Sequence, residues 1–242
     1  MTHRLQAALA VAALIAYAGT SPAADDAKSG PQPNGSANKT PADKSSADKK
    51  AGDAKTDSSS TKAEPKKSKI EYATFGGGCF WSMEAIFERI PGVRRVASGF
   101  SGGTVANPSY ALVCTGQTGH AEVIQVEYDS SVVSYEKLLK AFFTVHNPTT
   151  LNSQGDDFGT NYRSVIFYHD EAQKEAALKM YKELTAKKVF RAPIVTELAP
   201  FFAFYPAEPY HQDYFRNHPY SDYSQFYIIP KLKKYKSKLH LR

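Results

Sequence analysis

Cys79 is the residue best suited to nucleophilic chemistry, because three glycines precede it and two aromatic residues follow it. Residues 70–75 are typical of a strand, and apolar residues recur at helical spacing from Phe80 onward. We therefore expect a helix to begin at or just after Cys79. The dipole and free N–H groups of a helix N-terminus favour a thiolate. With Phe80 and Trp81 beside it, Cys79 is a candidate nucleophile at an apolar pocket.

Glu122 is a candidate proton donor. It begins a segment, 122–128, in which alternation puts it on the same strand face as Ile124, Val126 and Tyr128. If that face is buried, desolvation raises the carboxyl pKa, and a neutral carboxylic acid can donate a proton. The alternative is a glutamate at a strand end that faces water.

Two structural interpretations of Cys79 stay open on these residues alone. Free cysteines are commonly buried and inert. The chain has only two cysteines, so Cys79 and Cys114 can also form a single disulfide in an exported protein. A four-thiolate zinc site is excluded by the same count.

Four sequence blocks occur in order along the chain. They are Gly77-Gly78-Cys79-Phe80-Trp81-x-x-Glu84, Tyr110-x-x-Val113-Cys114-x-Gly116-x-Thr118-Gly119-His120-Ala121-Glu122, Gln154-Gly155-x-Asp157-x-Gly159-Thr160-x-Tyr162-Arg163-Ser164 and His211-Gln212-x-Tyr214. Together they closely resemble the A-type peptide-methionine (S)-S-oxide reductases, over roughly residues 70–235. The resemblance implies an oxidoreductase that reduces methionine-(S)-sulfoxide, protein-bound or free, and repairs proteins after oxidative damage.

The resemblance also implies roles for individual residues. Cys79 would attack the sulfoxide sulfur and become a sulfenic acid, while Glu122 would protonate the sulfoxide oxygen. The hydroxyls of Tyr110 and Tyr162 would polarise that oxygen. The remaining expected site residues enclose the substrate methyl group or line the site: Phe80, Trp81, Tyr223, Asp157 and Tyr214. No metal or organic cofactor is implied.

The sequence departs from the family pattern at Ser224, where many relatives carry a resolving cysteine. Serine cannot form a disulfide, so the sulfenic acid must be reduced through Cys114 or by an external thiol. We expect external attack by a thioredoxin-like, glutaredoxin-like or small-thiol reductant.

Two other functions are weighed against this one. A Cys–His hydrolase would use Cys79 as nucleophile, but no histidine has a spacing that pairs it with that cysteine. A binding module without turnover would hold methionine-like side chains at Phe80 and Trp81, and consumption of a reductant would exclude it.

Strands and helices alternate through residues 70–230 and predict an α/β (α+β) fold, a two-layer sandwich of helices on a mixed sheet in a single domain. Predicted strands cover 70–75, 93–100, 122–128, 162–168 and 193–198. Predicted helices cover 80–90, 134–146 and 170–187.

The flanking segments have different compositions. Residues 1–24 resemble a signal peptide, with an apolar run too short to span a bilayer comfortably, so we expect export to a periplasm or cell envelope; an uncleaved anchor is the alternative. Residues 25–69 lack large apolar side chains and predict a disordered linker. Residues 231–242 form a basic tail with Leu232, Tyr235 and Leu239 at helical spacing; we expect a solvated, frayed end. The mixed charges do not favour nucleic-acid binding, and we expect a monomer.

Overall fold

The computed structural model describes residues 68–242. The predicted signal peptide and residues 25–67 of the predicted linker lie outside this part of the chain. Ser68 Oγ donates a hydrogen bond to Asp129 Oδ2 at 2.6 Å, and Lys69 N donates to Asp129 Oδ1 at 3.3 Å. The end of the predicted linker is therefore already bound to the domain. Within residues 68–242, no helix has the length and apolar character needed to cross a bilayer.

The described residues form eight strands and six α-helices. The strands are β1 (Ile70–Gly76), β2 (Val93–Ser101), β3 (Ala121–Asp129), β4 (Ser153–Gln154), β5 (Asp157–Phe158), β6 (Val165–Tyr168), β7 (Glu197–Pro200) and β8 (Tyr205–Pro206). The α-helices are α1 (Phe80–Phe87), α2 (Tyr110–Cys114), α3 (Tyr135–Val145), α4 (Glu171–Ala186), α5 (Tyr214–Asn217) and α6 (Ile229–Leu239). Shorter 3-10 helices cover Thr160–Tyr162 and Pro209–His211, and a π-helical turn covers Ser224–Ile228.

Six of the strands form one mixed sheet in the order β7-β6-β1-β3-β2-β8. β6 and β7 are parallel, while the other neighbours are antiparallel. β4 and β5 form a separate hairpin. Phe75 of β1 contacts Phe87 of α1 and Phe142 of α3, with ring centroids 5.7 Å and 5.1 Å apart. The predicted architecture, helices packed on a mixed sheet in one domain, is confirmed.

The pairing of β1 with β3 brings the candidate nucleophile and the candidate acid together. The two strands are antiparallel, with Phe75 opposite Ile124, so the end of β1 lies beside the start of β3. A Cβ at Gly76 would lie 3.0 Å from the backbone oxygen of Glu122. Glycine therefore permits the close approach of the two strands just before the chain turns toward Cys79.

The prediction of a frayed C-terminal tail is wrong. Residues 229–239 form α6, whose Leu232, Tyr235 and Leu239 pack against the core. Leu241 is buried, and Arg242 N donates a hydrogen bond to Arg89 O at 2.9 Å. The apolar face of the tail is covered by the domain, so α6 continues the fold across the predicted boundary at residue 230.

Two predicted strands differ in extent from those observed. Thr160–Tyr162 is a 3-10 helix, so β6 begins only at Val165. The strand predicted over 193–198 lies later, as β7, because Val195 N binds Pro148 O instead of a strand neighbour.

Candidate active site

Cys79 is the residue immediately before α1, as predicted, and is partly exposed. The preceding Gly78 has φ +88°, a backbone conformation that favours glycine. A Cβ at Gly78 would also lie 2.6 Å from Gln154 Cγ. The tight turn from β1 into α1 therefore requires glycine at this position, and it carries Cys79 to the start of the helix.

The pKa of the Cys79 thiol is raised above its ordinary value. Burial is the largest cause and the charge of Glu122 the next, while hydrogen bonds with the Tyr223 hydroxyl and the Trp81 backbone act in the opposite direction. The predicted preference for thiolate is therefore wrong for the free protein. A helix dipole contributes about 0.3–1 kcal/mol, whereas burial can disfavour a charged group by about 4–7 kcal/mol.

Glu122 lies on the buried face of β3 and is 1% exposed, so of the two alternatives the buried one is correct. Its Oε2 accepts a hydrogen bond at 3.2 Å from the backbone N–H of Phe80, the residue next to Cys79. Its Oε1 is buried and has no hydrogen-bond partner within residues 68–242. Burial, assisted by the charge of Asp157, raises the pKa of Glu122 to about 8. At neutral pH the carboxyl is therefore mostly in the acid form and can donate a proton.

Two tyrosines lie close to this carboxyl. Tyr110 begins α2, and its backbone N–H donates a hydrogen bond to Glu208 Oε1 at 2.9 Å. Tyr162 ends the 3-10 helix that precedes β6. Burial, and next the charge of Glu122, raises the pKa of both phenols. Both hydroxyls therefore stay protonated through neutral pH and can act as hydrogen-bond donors.

Trp81 stands in a cluster of rings. Its indole stacks on Tyr214, with centroids 3.6 Å apart and planes within 7°, and meets Tyr223 edge-on at 5.3 Å. Trp81 Nε1 donates a hydrogen bond to His211 Nδ1 at 3.1 Å. The stacked, hydrogen-bonded indole is a rigid apolar surface next to Cys79.

Phe80 packs more deeply than Trp81. Its side chain is 1% exposed, with His211, Phe100 and Tyr110 rings 5.1 Å, 5.9 Å and 6.2 Å away. Phe80 therefore supports the indole from the core and presents little surface to a ligand.

Asp157 lies on the hairpin strand β5 and is partly buried. Its negative charge raises the pKa of several neighbouring groups, among them the Cys79 thiol, the Glu122 carboxyl and the phenols of Tyr162 and Tyr223. Burial, the largest cause, raises the pKa of Asp157 itself. Contacts and charge effects thus link all nine predicted site residues in one region around Cys79.

The two cysteines are free thiols, so the structure contains no disulfide between them. Cys114 ends α2 and is exposed. Ser224 is fully buried, and its Oγ donates a hydrogen bond to His218 O at 2.7 Å. At the position where many relatives carry a resolving cysteine, this protein therefore has a buried, hydrogen-bonded hydroxyl.

Two polar groups of the site were not identified from the sequence. His211 is assigned no role from the sequence, yet its Nδ1 accepts the indole N–H of Trp81. Glu84 is buried, and its Oε2 accepts a hydrogen bond from Tyr214 N at 3.3 Å. Both residues occur in the four ordered blocks, which was the available signal.

Comparisons with known proteins agree with this geometry. The family described as "Peptide methionine sulfoxide reductase" matches residues 71–241. The peptide methionine sulfoxide reductase MsrA of Polynucleobacter asymbioticus is 50% identical over 169 residues, covering 70% of this chain and 89% of the relative. That of Saccharolobus solfataricus is 51% identical over 166 residues, covering 69% of this chain and 93% of the relative.

Solved structures show the same relationship. Mxr1 of Saccharomyces cerevisiae in its reduced form superposes with a TM-score of 0.58 at 36% identity, over 63% of this chain and 88% of the yeast chain. Methionine sulfoxide reductase A of Corynebacterium diphtheriae gives a TM-score of 0.57 at 34% identity, over 63% of this chain and 76% of the other. The chain therefore belongs to the peptide methionine sulfoxide reductase family and is a peptide-methionine (S)-S-oxide reductase, an oxidoreductase that reduces methionine sulfoxide and so repairs oxidised proteins.

Proposed function

We propose that Cys79 Sγ attacks the sulfur of the methyl sulfoxide while Glu122 gives its proton to the sulfoxide oxygen. The observation that carries this proposal is the environment of the Glu122 carboxyl. One oxygen is held by the N–H of Phe80, the other has no partner within the described residues, and the pKa of about 8 keeps the acid form at neutral pH. A positioned, protonated carboxyl beside a nucleophile is suited to general acid catalysis.

The reaction balances in atoms and electrons. The attack forms a bond between Cys79 Sγ and the substrate sulfur. Transfer of the protonated oxygen to Sγ then breaks both this S–S bond and the S–O bond, which releases the sulfide and leaves Cys79 as a sulfenic acid. The substrate sulfur gains two electrons and the cysteine sulfur loses two. The thiol proton replaces the one that Glu122 has given, so the carboxyl returns to its acid form. Because the pKa of Cys79 is raised, we propose that the thiol loses its proton only as the oxygen acquires one.

The tyrosines near Glu122 supply further donors in this proposal. The hydroxyls of Tyr110 and Tyr162 remain protonated and would donate hydrogen bonds to the oxygen as negative charge develops on it. The Tyr223 hydroxyl hydrogen-bonds with Cys79, which stabilises the sulfur as it becomes charged.

The substrate methyl group would contact Trp81 and Tyr223, with Phe80 supporting the indole from the core. Asp157 and Tyr214 would order water or the substrate backbone. The substrates are oxidised proteins and free methionine sulfoxide.

Regeneration of Cys79 would use an external thiol. A first thiol condenses with the sulfenic acid, releasing water and forming a mixed disulfide, and a second thiol attacks that disulfide to restore Cys79. The buried hydroxyl of Ser224 cannot take the part of a resolving thiol. The reductant is thioredoxin-like, glutaredoxin-like or a small thiol.

The Cys114→Ser variant tests this route. We expect it to retain nearly full turnover with dithiothreitol, because Cys114 is not needed for an external attack. If the variant instead stops after one turnover and accumulates oxidised Cys79, Cys114 is the resolving residue.

Export is proposed from the N-terminal sequence, in which a short apolar run precedes Ser21-Pro22-Ala23. The N-terminal residue of the protein recovered from its native envelope would test the proposal. A mature chain beginning near residue 25 supports cleavage, whereas recovery from the cytosol with Met1 retained contradicts export.

The activity itself is tested with one sulfoxide epimer at a time and dithiothreitol as reductant. We expect sulfide to form from the S epimer in proportion to the reductant consumed, and Cys79→Ser to form none. Binding without consumption of reductant would indicate a binding module. A stable acyl adduct on Cys79 after separate incubation with an activated ester would indicate a hydrolase.

A further inference from the structure

Glu84 is a buried carboxyl that the proposed reaction does not use. It is 2% exposed and lies on α1 three residues after Trp81, so the two side chains share one face of the helix. Its Oε1 is buried without a hydrogen-bond partner within residues 68–242. Burying a carboxyl in this way costs free energy, so its position calls for a compensating contact.

That contact is with the main chain at the start of α5. Tyr214 N donates a hydrogen bond to Glu84 Oε2 at 3.3 Å, and the backbone N–H of Asp213 faces the same carboxyl. Asp213 has φ +52°, which is uncommon for a residue other than glycine. A left-handed residue beside a right-handed one directs successive N–H groups to one side and forms a concavity that binds anions. The backbone of Asp213 and Tyr214 is therefore shaped to receive the Glu84 carboxyl.

Tyr214 also provides the ring on which Trp81 stacks at 3.6 Å. α1 thus contacts Tyr214 twice, with the carboxyl of Glu84 on its backbone and the indole of Trp81 on its ring. His211, three residues earlier, accepts the indole N–H of Trp81. Because the indole of Trp81 contacts both His211 and Tyr214, its orientation depends on the position of the main chain of residues 211–214.

We infer that Glu84 is a positioning residue, which holds the main chain of Tyr214 and thereby sets the Trp81–Tyr214 stack that forms one wall of the methyl pocket. This inference rests on the proposed role of Trp81 in substrate contact. A wall that contacts substrate and transition state alike changes KM and leaves the maximal rate nearly unchanged.

The chain contains a single tryptophan among 15 tyrosines, so emission excited at the red edge of absorption, where tyrosine absorbs little, reports on Trp81 alone. Glu84→Met keeps the length of the side chain but removes the acceptor. We expect its Trp81 emission to shift and the KM for the sulfoxide to rise about tenfold, while the single-turnover rate at saturation changes less than about twofold. Glu84→Gln keeps an acceptor oxygen and should be close to the wild-type protein in both measurements.

Glu88→Gln is a matched control, because Glu88 directly follows α1 and its Oε2 pairs with Arg216 of α5 at 2.9 Å. Loss of that ion pair leaves the Tyr214 N–H bond intact, so emission and KM should not change. Should Glu84→Met fail to fold, Glu84→Asp makes the same test, because it withdraws the carboxylate by one methylene and should give a smaller shift of the same sign.

An unchanged emission in a folded Glu84→Met or Glu84→Asp variant would overturn the inference, whatever the KM. A shifted emission with an unchanged KM would show that Glu84 positions the Trp81–Tyr214 stack, but that this stack does not affect substrate binding. That second outcome would contradict the proposed substrate contact of Trp81, and leave the proposed chemistry of Cys79 and Glu122 unaffected.

Discussion

At the scale of single residues, the reaction depends on two groups whose pKa values are both raised. Burial raises the pKa of both the Cys79 thiol and the Glu122 carboxyl, so both carry protons at neutral pH. The site is thus arranged to move a proton onto the substrate oxygen before negative charge accumulates on any one atom.

Glu122→Gln tests the acid directly. Glutamine fills the same volume and can donate a hydrogen bond but cannot transfer a proton, so the single-turnover rate should fall by about 10²–10⁴-fold. Stopped-flow measurement of Trp81 emission with excess sulfoxide follows this step. A rate within a few-fold of the wild-type protein would remove Glu122 from the role.

The pH dependence of the same step carries a definite sign. The active form of Glu122 is the acid, which is populated below its pKa of about 8 and lost above it. The wild-type rate should therefore decline as the pH rises through about 8, and Glu122→Gln should lack this decline. A wild-type rate that climbs between pH 7 and pH 9 would mean that thiolate formation, not the acid form, limits the step.

The sequence predicted these two residues unequally well. Alternation along β3 placed Glu122 on one face with Ile124, Val126 and Tyr128, but it left open whether this end of the strand is buried or faces water, and the fold buries it. The state of Cys79 was not predictable from its position before α1. Burial and the charge of Glu122 both raise its pKa, and both depend on contacts between distant segments. Tyr110, Tyr162 and Tyr223 come from three separate segments, and only the family resemblance identified them.

At the scale of elements, the turn between β1 and α1 determines where the sulfur lies. Gly78→Ala should destabilise the fold by about 1–3 kcal/mol, because a side chain at φ +88° is strained and its Cβ would meet Gln154. Relief of that clash would also displace Cys79 and slow the reaction. Denaturant unfolding and the single-turnover rate measure the two effects.

Gly155→Ala is the matched control for this turn. Gly155 also has positive φ, +61°, but a Cβ there would meet no atom within 4 Å. We expect Gly155→Ala to lose stability because of the strained backbone, but to keep the single-turnover rate of the wild-type protein. Equal rates for the two variants would contradict the role of Gly78 in locating the sulfur.

Most elements could be predicted because their apolar spacing is regular, as for α3, with Leu138, Leu139 and Phe142 on one face. The short elements around the site were not predicted. Residues 110–114 and 214–217 are too short for a period to show, and they are fixed by distant contacts such as Glu208 on Tyr110 N and Glu84 on Tyr214 N.

At the scale of the whole molecule, the C-terminal helix α6 completes the domain. The lysines of residues 231–238 favoured a solvated end. Only the fold shows that the core of the domain covers the apolar face of α6, which consists of Leu232, Tyr235 and Leu239. The outcome illustrates that a sequence reveals an amphipathic face more readily than the surface that covers it.

Truncation after Pro230 should therefore lower the free energy of unfolding by at least about 3 kcal/mol, because it exposes several packed apolar side chains on both sides of the contact. Lys233→Ala, at an exposed position of the same helix, should leave stability unchanged. The midpoints of denaturant unfolding compare the three proteins. A truncated chain as stable as the full domain would contradict the packing of α6.

The most direct measurement is the mass of the Cys79 peptide after one turnover without reductant, with the sulfenic acid trapped by a dimedone-type reagent. Incubation with the S epimer should produce one sulfide for each Cys79 trapped, with Cys114 unmodified. Sulfide formed while Cys79 stays a free thiol, or formed equally well by Cys79→Ser, would show that oxygen leaves the substrate by another route.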